Sequence, residues 1–310
     1  MAINEKLKKQ LQTRFSNRVR FDEPMSAHTS FRIGGPADAY VMPTDESELA
    51  DLIKWINETG LRFFIMGGGT NLLVRDQGIR GIVICLAKLN DLSRQGSAKV
   101  LAMAGAKLNT LCRYAIDNGL SGMNFALGIP GTVGGAIRMN AGTAHGTISS
   151  VVDGIRIIRP DGNVKKLDKS SLKFSYRGLE LHEENKGDEN PCVIIEGGFS
   201  FSKNVLPDVK AEAEAVLRKK QKNQPTELAS AGCFFKNPDT GASAGQLIDQ
   251  AGLKEVCVGD AVVSEKHANF IYNRNNATAE DVLRLAEIVK ETILKKFNIT
   301  LETEVKVIGE

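Results

Sequence analysis

The chain has 310 residues, 42% of them apolar and 25% charged, with a formal net charge of +3 at pH 7. That length suits two or three domains of ordinary globular composition, and so small a net charge argues against nucleic acid as a partner. Five scattered cysteines without a C-x-x-C pair support neither zinc nor a disulfide framework and suit a reducing compartment; the charged start MAINEKLKKQLQTRF does not read as a signal peptide, and no apolar run nears the ~20 residues of a membrane span.

In chain order, residues 4–15 predict a short amphipathic helix. A strand around Ala39–Met42 is followed by Pro43-Thr44-Asp45, which can cap a helix from about Glu46 to Glu58. Its apolar Leu49, Leu52, Ile53 and Ile56 fall at helical spacing. Strands are expected at 62–66, 72–74 and 81–86, giving an α/β order to the first region. Further on, 100–104 reads as a strand and 107–118 as a helix closed by Gly119. Strands follow at 151–158, 163–167 and 192–201, with Asp161-Gly162-Asn163 as a hairpin turn. The acidic stretch 180–190 reads as an exposed loop. A charged helix over 210–222 ends before Gln224-Pro225, a plausible boundary. Next come a helix near 243–251, a strand around 256–263 and a long helix from Thr278 to about Phe297, with Thr278 as N-cap. Alternation over 301–308 predicts a strand with one wet face.

Two glycine-rich loops stand out: Gly67-Gly68-Gly69-Thr70-Asn71 and Gly128-Ile129-Pro130-Gly131-Thr132-Val133-Gly134-Gly135. Glycine lets backbone N–H groups approach a ligand and form concave nests for phosphate oxygens. Taken singly, either loop is equally compatible with a plain turn. Neither has Walker or G-x-G-x-x-G spacing. The second runs on into Arg138-Met139-Asn140-Ala141-Gly142, with Gly146 beyond, a stretch rich in small residues. Together the loops suggest two jaws around one phosphorylated cofactor, a dinucleotide held in a non-Rossmann manner.

The ordered set T-S-F-R-I-G-G-P-A-D (29–38), G-G-G-T-N-L-L (67–73), G-I-P-G-T-V-G-G-A (128–136), S-Y-R (175–177), G-C-F-F-K-N-P (232–238), V-S-x-K-H-A-N-F (263–270) and L-E-T-E-V (301–305) resembles the UDP-N-acetylenolpyruvoylglucosamine reductase family over nearly the whole chain. The resemblance implies an α+β protein: an FAD-binding fold of two subdomains, of the vanillyl-alcohol-oxidase/PCMH type, plus a C-terminal α+β substrate-binding domain. The boundaries it suggests are 1–90, 91–222 and 223–300, with 301–310 returning to the first subdomain. It implies a cytoplasmic enzyme, a monomer without nucleic-acid or membrane partners. NADPH would reduce FAD, and hydride would pass to the vinyl carbon of UDP-N-acetylglucosamine enolpyruvate, giving UDP-N-acetylmuramate for peptidoglycan. At this length the chain is similar to the shorter form of the family, without an inserted tyrosine loop. The FAD contacts implied are Gly67, Gly68, Gly69, Thr70, Asn71, Leu72, Gly128, Ile129, Pro130, Gly131, Thr132, Gly134, Gly135, Asn140 and Gly142.

Hydride addition to an enol ether beside a carboxylate builds charge on that carboxylate and needs a proton at the other vinyl carbon. By motif match, Arg177 and Glu304 stabilise the charge. Arg177 offers a planar fork to the carboxylate. Glu304 would have to be protonated to donate a hydrogen bond, and Glu302, two residues away and on the same face of a strand, is its competitor. The proton donor falls on Cys233, where the usual family residue is Ser. A thiol, with a reference pKa of about 8.5, is the stronger acid. The alternative for Cys233 is a small core residue beside Phe234 and Phe235. Tyr176, Asn237 and Lys236 are the implied substrate contacts, with a plain surface lysine as the alternative for Lys236. His267 is equally a structural histidine, and Asn223 stands where relatives often have Lys, so no role is assigned there. Two other functions stay open: a flavin oxidase on the same fold, and a nucleotide-sugar sensor without turnover.

Overall fold

In α-helices such as Glu5–Phe15 and Glu46–Thr59, apolar spacing and a local cap agree. The computed structural model describes residues 3–182, 184, 190–225, 227–239 and 241–310, and among these there are eight α-helices. They are α1 Glu5–Phe15, α2 Glu46–Thr59, α3 Leu108–Asp117, α4 Val133–Arg138, α5 Ile148–Val151, α6 Leu206–Asn223, α7 Ala244–Gln250 and α8 Ala279–Phe297. In α1 the side chain of Asn4 accepts from Leu7 N–H, and Leu7, Leu11 and Phe15 form its buried stripe. Asp45 caps α2 through Glu48 N–H at 2.8 Å, and Gly60 closes it in the left-handed region at φ +66°.

The chain divides into two units, one of Met1–Phe21, Asp38–Gly68 and Gly81–Lys219, the other of Asp22–Ala37, Gly69–Arg80 and Lys220–Glu310. The first unit holds two cores. One gathers α1, α2 and the apolar residues of a four-stranded sheet ordered Val19–Pro24, Pro36–Val41, Ile79–Cys85, Phe63–Met66, the last two strands being parallel. The other lies against a five-stranded antiparallel sheet ordered Val164–Asp168, Val152–Ile158, Val193–Ser200, Lys99–Met103, Leu92–Gln95. The Asp161-Gly162-Asn163 turn joins the first two of these strands. Asp161 accepts from Asn163 N–H at 2.9 Å, and these bonds hold its carboxyl below the usual range. The edge strand Leu92–Gln95 had no sequence signal because its residues are mostly polar and exposed.

The second unit packs α7 and α8 on an antiparallel sheet ordered Ala229–Cys233, Phe270–Asn273, Ala261–Val263, Cys257–Val258. In α8, Thr278 and Asp281 form a reciprocal cap, while Asp76 accepts from Ala279 and Glu280 N–H at 2.8 and 3.1 Å. Val282, Leu285, Val289 and Ile293 are buried, each contributing about 1.5–3 kcal/mol.

Three expectations are corrected. The strand expected around 256–263 is a hairpin of two short strands that turns at Gly259, where φ is +54°. Of 301–308, only Lys306–Ile308 forms a strand, parallel to Leu72–Val74. Residues 301–305 form no strand; Thr303 pairs with Phe235 through a single bridge. The loop expected over 180–190 begins later, since Gly178–Leu181 is a strand; positions 183 and 185–189 lie outside the described residues.

Candidate active site

In the first unit Gly67 meets Thr132 of the second glycine loop. A Cβ built on Gly67 would lie 2.2 Å from Thr132 Oγ1, so any other residue there would displace the Thr132 hydroxyl. Thr132 is buried at the head of α4, yet its hydroxyl makes no capping bond and finds no hydrogen-bond partner among the described residues. A buried hydroxyl without a partner costs about 1–3 kcal/mol. It is therefore a fitting donor for an oxygen of a phosphorylated ligand lying along Gly67. Gly128 and Gly131 take φ of +69° and +117°, which side chains rarely adopt.

Not every glycine amide faces outward, however. Gly134 N–H is bonded to Ala104 O at 2.8 Å, and a Cβ at Gly134 would press on Ala104 Cβ at 2.8 Å. Gly128 N–H is taken by Asn109 Oδ1 at 3.0 Å. These two glycines serve turn and packing rather than an open nest. Gly142 faces Gly146 across a short hairpin, where a Cβ would meet Gly146 O at 2.5 Å. Ile129 packs on the core, while Gly135 and Pro130 are exposed.

Asn140 ties this loop to the Arg177 hairpin. Buried and at φ +40°, it donates to Ser175 O at 2.9 Å and accepts from Ser149 N–H at 3.1 Å. Ser175 ends the strand Leu172–Ser175, which pairs with Gly178–Leu181, so Tyr176 and Arg177 are the two turn residues. Arg177 takes φ +58°, a strained conformation for a side chain of this size. Its guanidinium lies 5.1 Å from the centre of the Tyr176 ring, and Tyr176 is 55% exposed.

The second unit pairs the backbone after Cys233 with residues 302–304. Glu304 N–H donates to Phe234 O at 2.8 Å, and Lys236 N–H donates to Glu302 O at 2.9 Å, around the Thr303–Phe235 bridge. Phe234 and Phe235 are buried, in edge-on contact with each other at 5.1 Å. Cys233 itself is half-buried and outside that core. Asn71 joins the same segment: its Nδ2 donates to Glu304 O at 3.2 Å and its carbonyl accepts from Lys306 N–H at 3.0 Å. Ser30 spans from Gly69 to Ser230: its N–H donates to Gly69 O at 3.1 Å and its hydroxyl to Ser230 O at 2.6 Å. Leu72 is buried in its strand.

Structure separates the two glutamates that sequence left as competitors. Glu302 is 73% exposed and pairs with Lys236 Nζ at 2.9 Å. That hydrogen bond and charge hold the Glu302 carboxyl below the usual range, the opposite of what a neutral donor needs. Lys236 is thereby engaged as well. Asn237 uses Oδ1 to accept from Ala244 N–H at 3.0 Å, which fastens its loop to α7. His267 accepts from Asn269 N–H through Nδ1 at 3.3 Å and packs edge-on against Phe270; burial pushes its pKa down. Asn223 ends α6 in an exposed position. Asn269 belongs with these residues, though sequence reasoning gave it no role. A polar residue amid H-A-N-F-I, where neighbours are buried, was the available signal.

Comparisons with known proteins identify the family. Residues 37–168 match the model of an FAD binding domain. Residues 224–308 match the C-terminal domain of UDP-N-acetylenolpyruvoylglucosamine reductase. The enzyme of that name from Desulfosudis oleivorans is 48% identical over 307 residues, 97% of either chain. The chain belongs to the UDP-N-acetylenolpyruvoylglucosamine reductase family. A Clostridium botulinum (strain Hall) member is 41% identical, covering 95% of this chain and 94% of its own. The crystal structure of the Thermus caldophilus reductase superposes with a TM-score of 0.78 at 32% identity, covering 92% of this chain and 97% of that one. The reductase is thus an α+β oxidoreductase that binds FAD, with the FAD-binding fold followed by the family's C-terminal domain. Among the described residues no helix is long and apolar enough to cross a membrane.

Proposed function

We propose that this reductase converts UDP-N-acetylglucosamine enolpyruvate to UDP-N-acetylmuramate with NADPH, in the cytoplasm, as a step toward peptidoglycan. The observation that supports the reading is the backbone bond from Glu304 N–H to Phe234 O, which joins the Glu304 backbone to the residue after Cys233, while Glu302 is held in an ion pair. Bound FAD would supply the hydride, drawn from NADPH, to the terminal vinyl carbon. Gly67, Gly68, Gly131, Thr132, Asn140 and Gly142 would hold it.

The rest is work for side chains. Arg177 pairs its fork with the substrate carboxylate as negative charge gathers there. Glu304, in its neutral form, donates a hydrogen bond to the same group. Cys233 gives the proton on Sγ to the carbon beside the carboxylate. The S–H bond breaks as the C–H bond forms, and the thiolate regains a proton from solvent. Tyr176, Lys236 and Asn237 are assigned to the substrate body.

The test is a purified, FAD-loaded enzyme whose flavin NADPH bleaches and the enolpyruvyl substrate restores. NADPH oxidation that ignores this substrate, or oxygen uptake with an alcohol instead, would replace the reading with that of a flavin oxidase.

A further inference from the structure

Cys233 lies at the end of a strand with a fault in it. The pairing runs Ala229–Asn273 and Ser230–Tyr272, then slips so that Cys233 faces Phe270. The slip inserts one extra residue, a bulge, at Ala231 and Gly232. Gly232 sits at φ +80°, and a Cβ there would meet nothing within 4 Å, so the position selects glycine for its backbone angle alone. A bulge re-aims the residue that follows it, and here that residue is Cys233.

Beyond Cys233 the partner strand stops, and one side chain continues its work. Asn269 is 3% exposed. Its carbonyl accepts from Phe234 N–H at 2.7 Å, its Oδ1 accepts from Phe235 N–H at 2.9 Å, and its Nδ2 donates to Phe235 O at 2.8 Å. The side-chain amide thus copies a peptide group of the missing strand. Its own N–H is bonded to His267 Nδ1, so the residue is fastened from behind. Every one of these bonds to 234 and 235 acts on the two residues following Cys233.

We propose that Asn269 is the positioning residue for the Cys233 thiol, holding it between the bulge and the amide clamp so that the proton reaches one face of one carbon. The role rests on the proton-donor reading of Cys233. It predicts behaviour that stability alone would not produce. In Asn269→Ala the kcat should fall about ten- to hundredfold, with KM for the enolpyruvyl substrate nearly unchanged. The product should become a mixture of epimers at the newly protonated carbon, because water then competes as donor. The rate of Cys233 alkylation by iodoacetamide, read by mass spectrometry against the exposed Cys257 of the same chain, should change several-fold.

Asn269→Asp guards against a variant that fails to fold. Only a protonated carboxyl can both accept from Phe235 N–H and donate to Phe235 O. Its kcat and single-epimer product should therefore recover as pH falls, while Asn269→Ala shows no such recovery. If both variants lose only thermal stability, with kcat, epimer purity and the alkylation ratio at wild-type values, the positioning role is overturned. Cys233→Ala separates the two readings. If it turns over like wild type, the proton-donor reading falls and the positioning role with it; if it fails while Asn269→Ala is unaltered, the positioning role alone falls.

Discussion

The Tyr176–Arg177 hairpin and the Cys233–Glu304 segment are held in opposite ways. The hairpin is a two-residue turn with an exposed tyrosine and a strained arginine at φ +58°, tied through Asn140 Nδ2 to Ser175 O and closed by the surface ion pair Lys173–Glu180. The other segment is gripped by buried Phe234 and Phe235, by three bonds from Asn269 and by the backbone of 302–304. The difference suits the tasks assigned to them. Attraction between charges falls slowly with distance, so a guanidinium on a long stem tolerates some play. Proton transfer needs the donor within hydrogen-bond reach, so the thiol needs a rigid mount.

The sharpest break in that comparison should come from the rigid side. Cys233→Ala should slow reoxidation by the enolpyruvyl substrate about 10²- to 10⁴-fold in stopped-flow absorbance, leaving reduction by NADPH nearly intact. Cys233→Ser should keep substantial activity. Equal losses in both half-reactions would point to a folding defect instead.

On the hairpin, Arg177→Gly should separate stability from activity. Glycine relieves the left-handed backbone, worth about 1 kcal/mol, and the melting temperature should rise slightly. Turnover should nonetheless fall about a hundredfold or more as the carboxylate loses its partner. A variant both active and stabilised would remove Arg177 from the chemistry.

The two glutamates offer a finer contrast. Glu304→Gln keeps a hydrogen-bond donor and should retain more kcat than Glu304→Ala. Glu302→Gln should change kcat little, because that carboxylate is committed to Lys236 at the surface. Equal losses in Glu304→Gln and Glu304→Ala would mean that Glu304 works as an anion.

The smallest effect concerns His267. Burial lowers its pKa from 6.5 in the folded state, so the unfolded chain binds the extra proton first. Stability should therefore decline as pH drops below about 6.5, until the lower folded pKa is passed. His267→Gln should flatten that decline in urea titrations at pH 5 to 7. An unchanged slope would show that other groups set it.

Much of the fold was legible because its signals are local. The stripe Leu7, Leu11, Phe15, the Asp45 cap, the Thr278–Asp281 box and the Asp161-Gly162-Asn163 turn each involve residues within a few positions of one another. The edge strand Leu92–Gln95 was not legible, since it has no apolar face of its own. Nor was the fate of 301–308, where alternation marks an extended chain but cannot say what pairs with it.

Sequence by itself determined the helices α1, α2, α3, α6, α7 and α8, though not α4, which the second glycine loop runs into, nor α5; it also determined the two glycine-rich segments and the ordered motifs that place the chain in its family. Tertiary structure decided the rest. It set Gly67 against Thr132, gave Gly134 to packing rather than to an open amide, withdrew Glu302 into an ion pair with Lys236, and made Asn269 the substitute strand beside Cys233. Caps, turns and periodicity are satisfied among near neighbours along the chain. A buried amide or carboxyl is satisfied only by whatever distant segment the folded core presents to it.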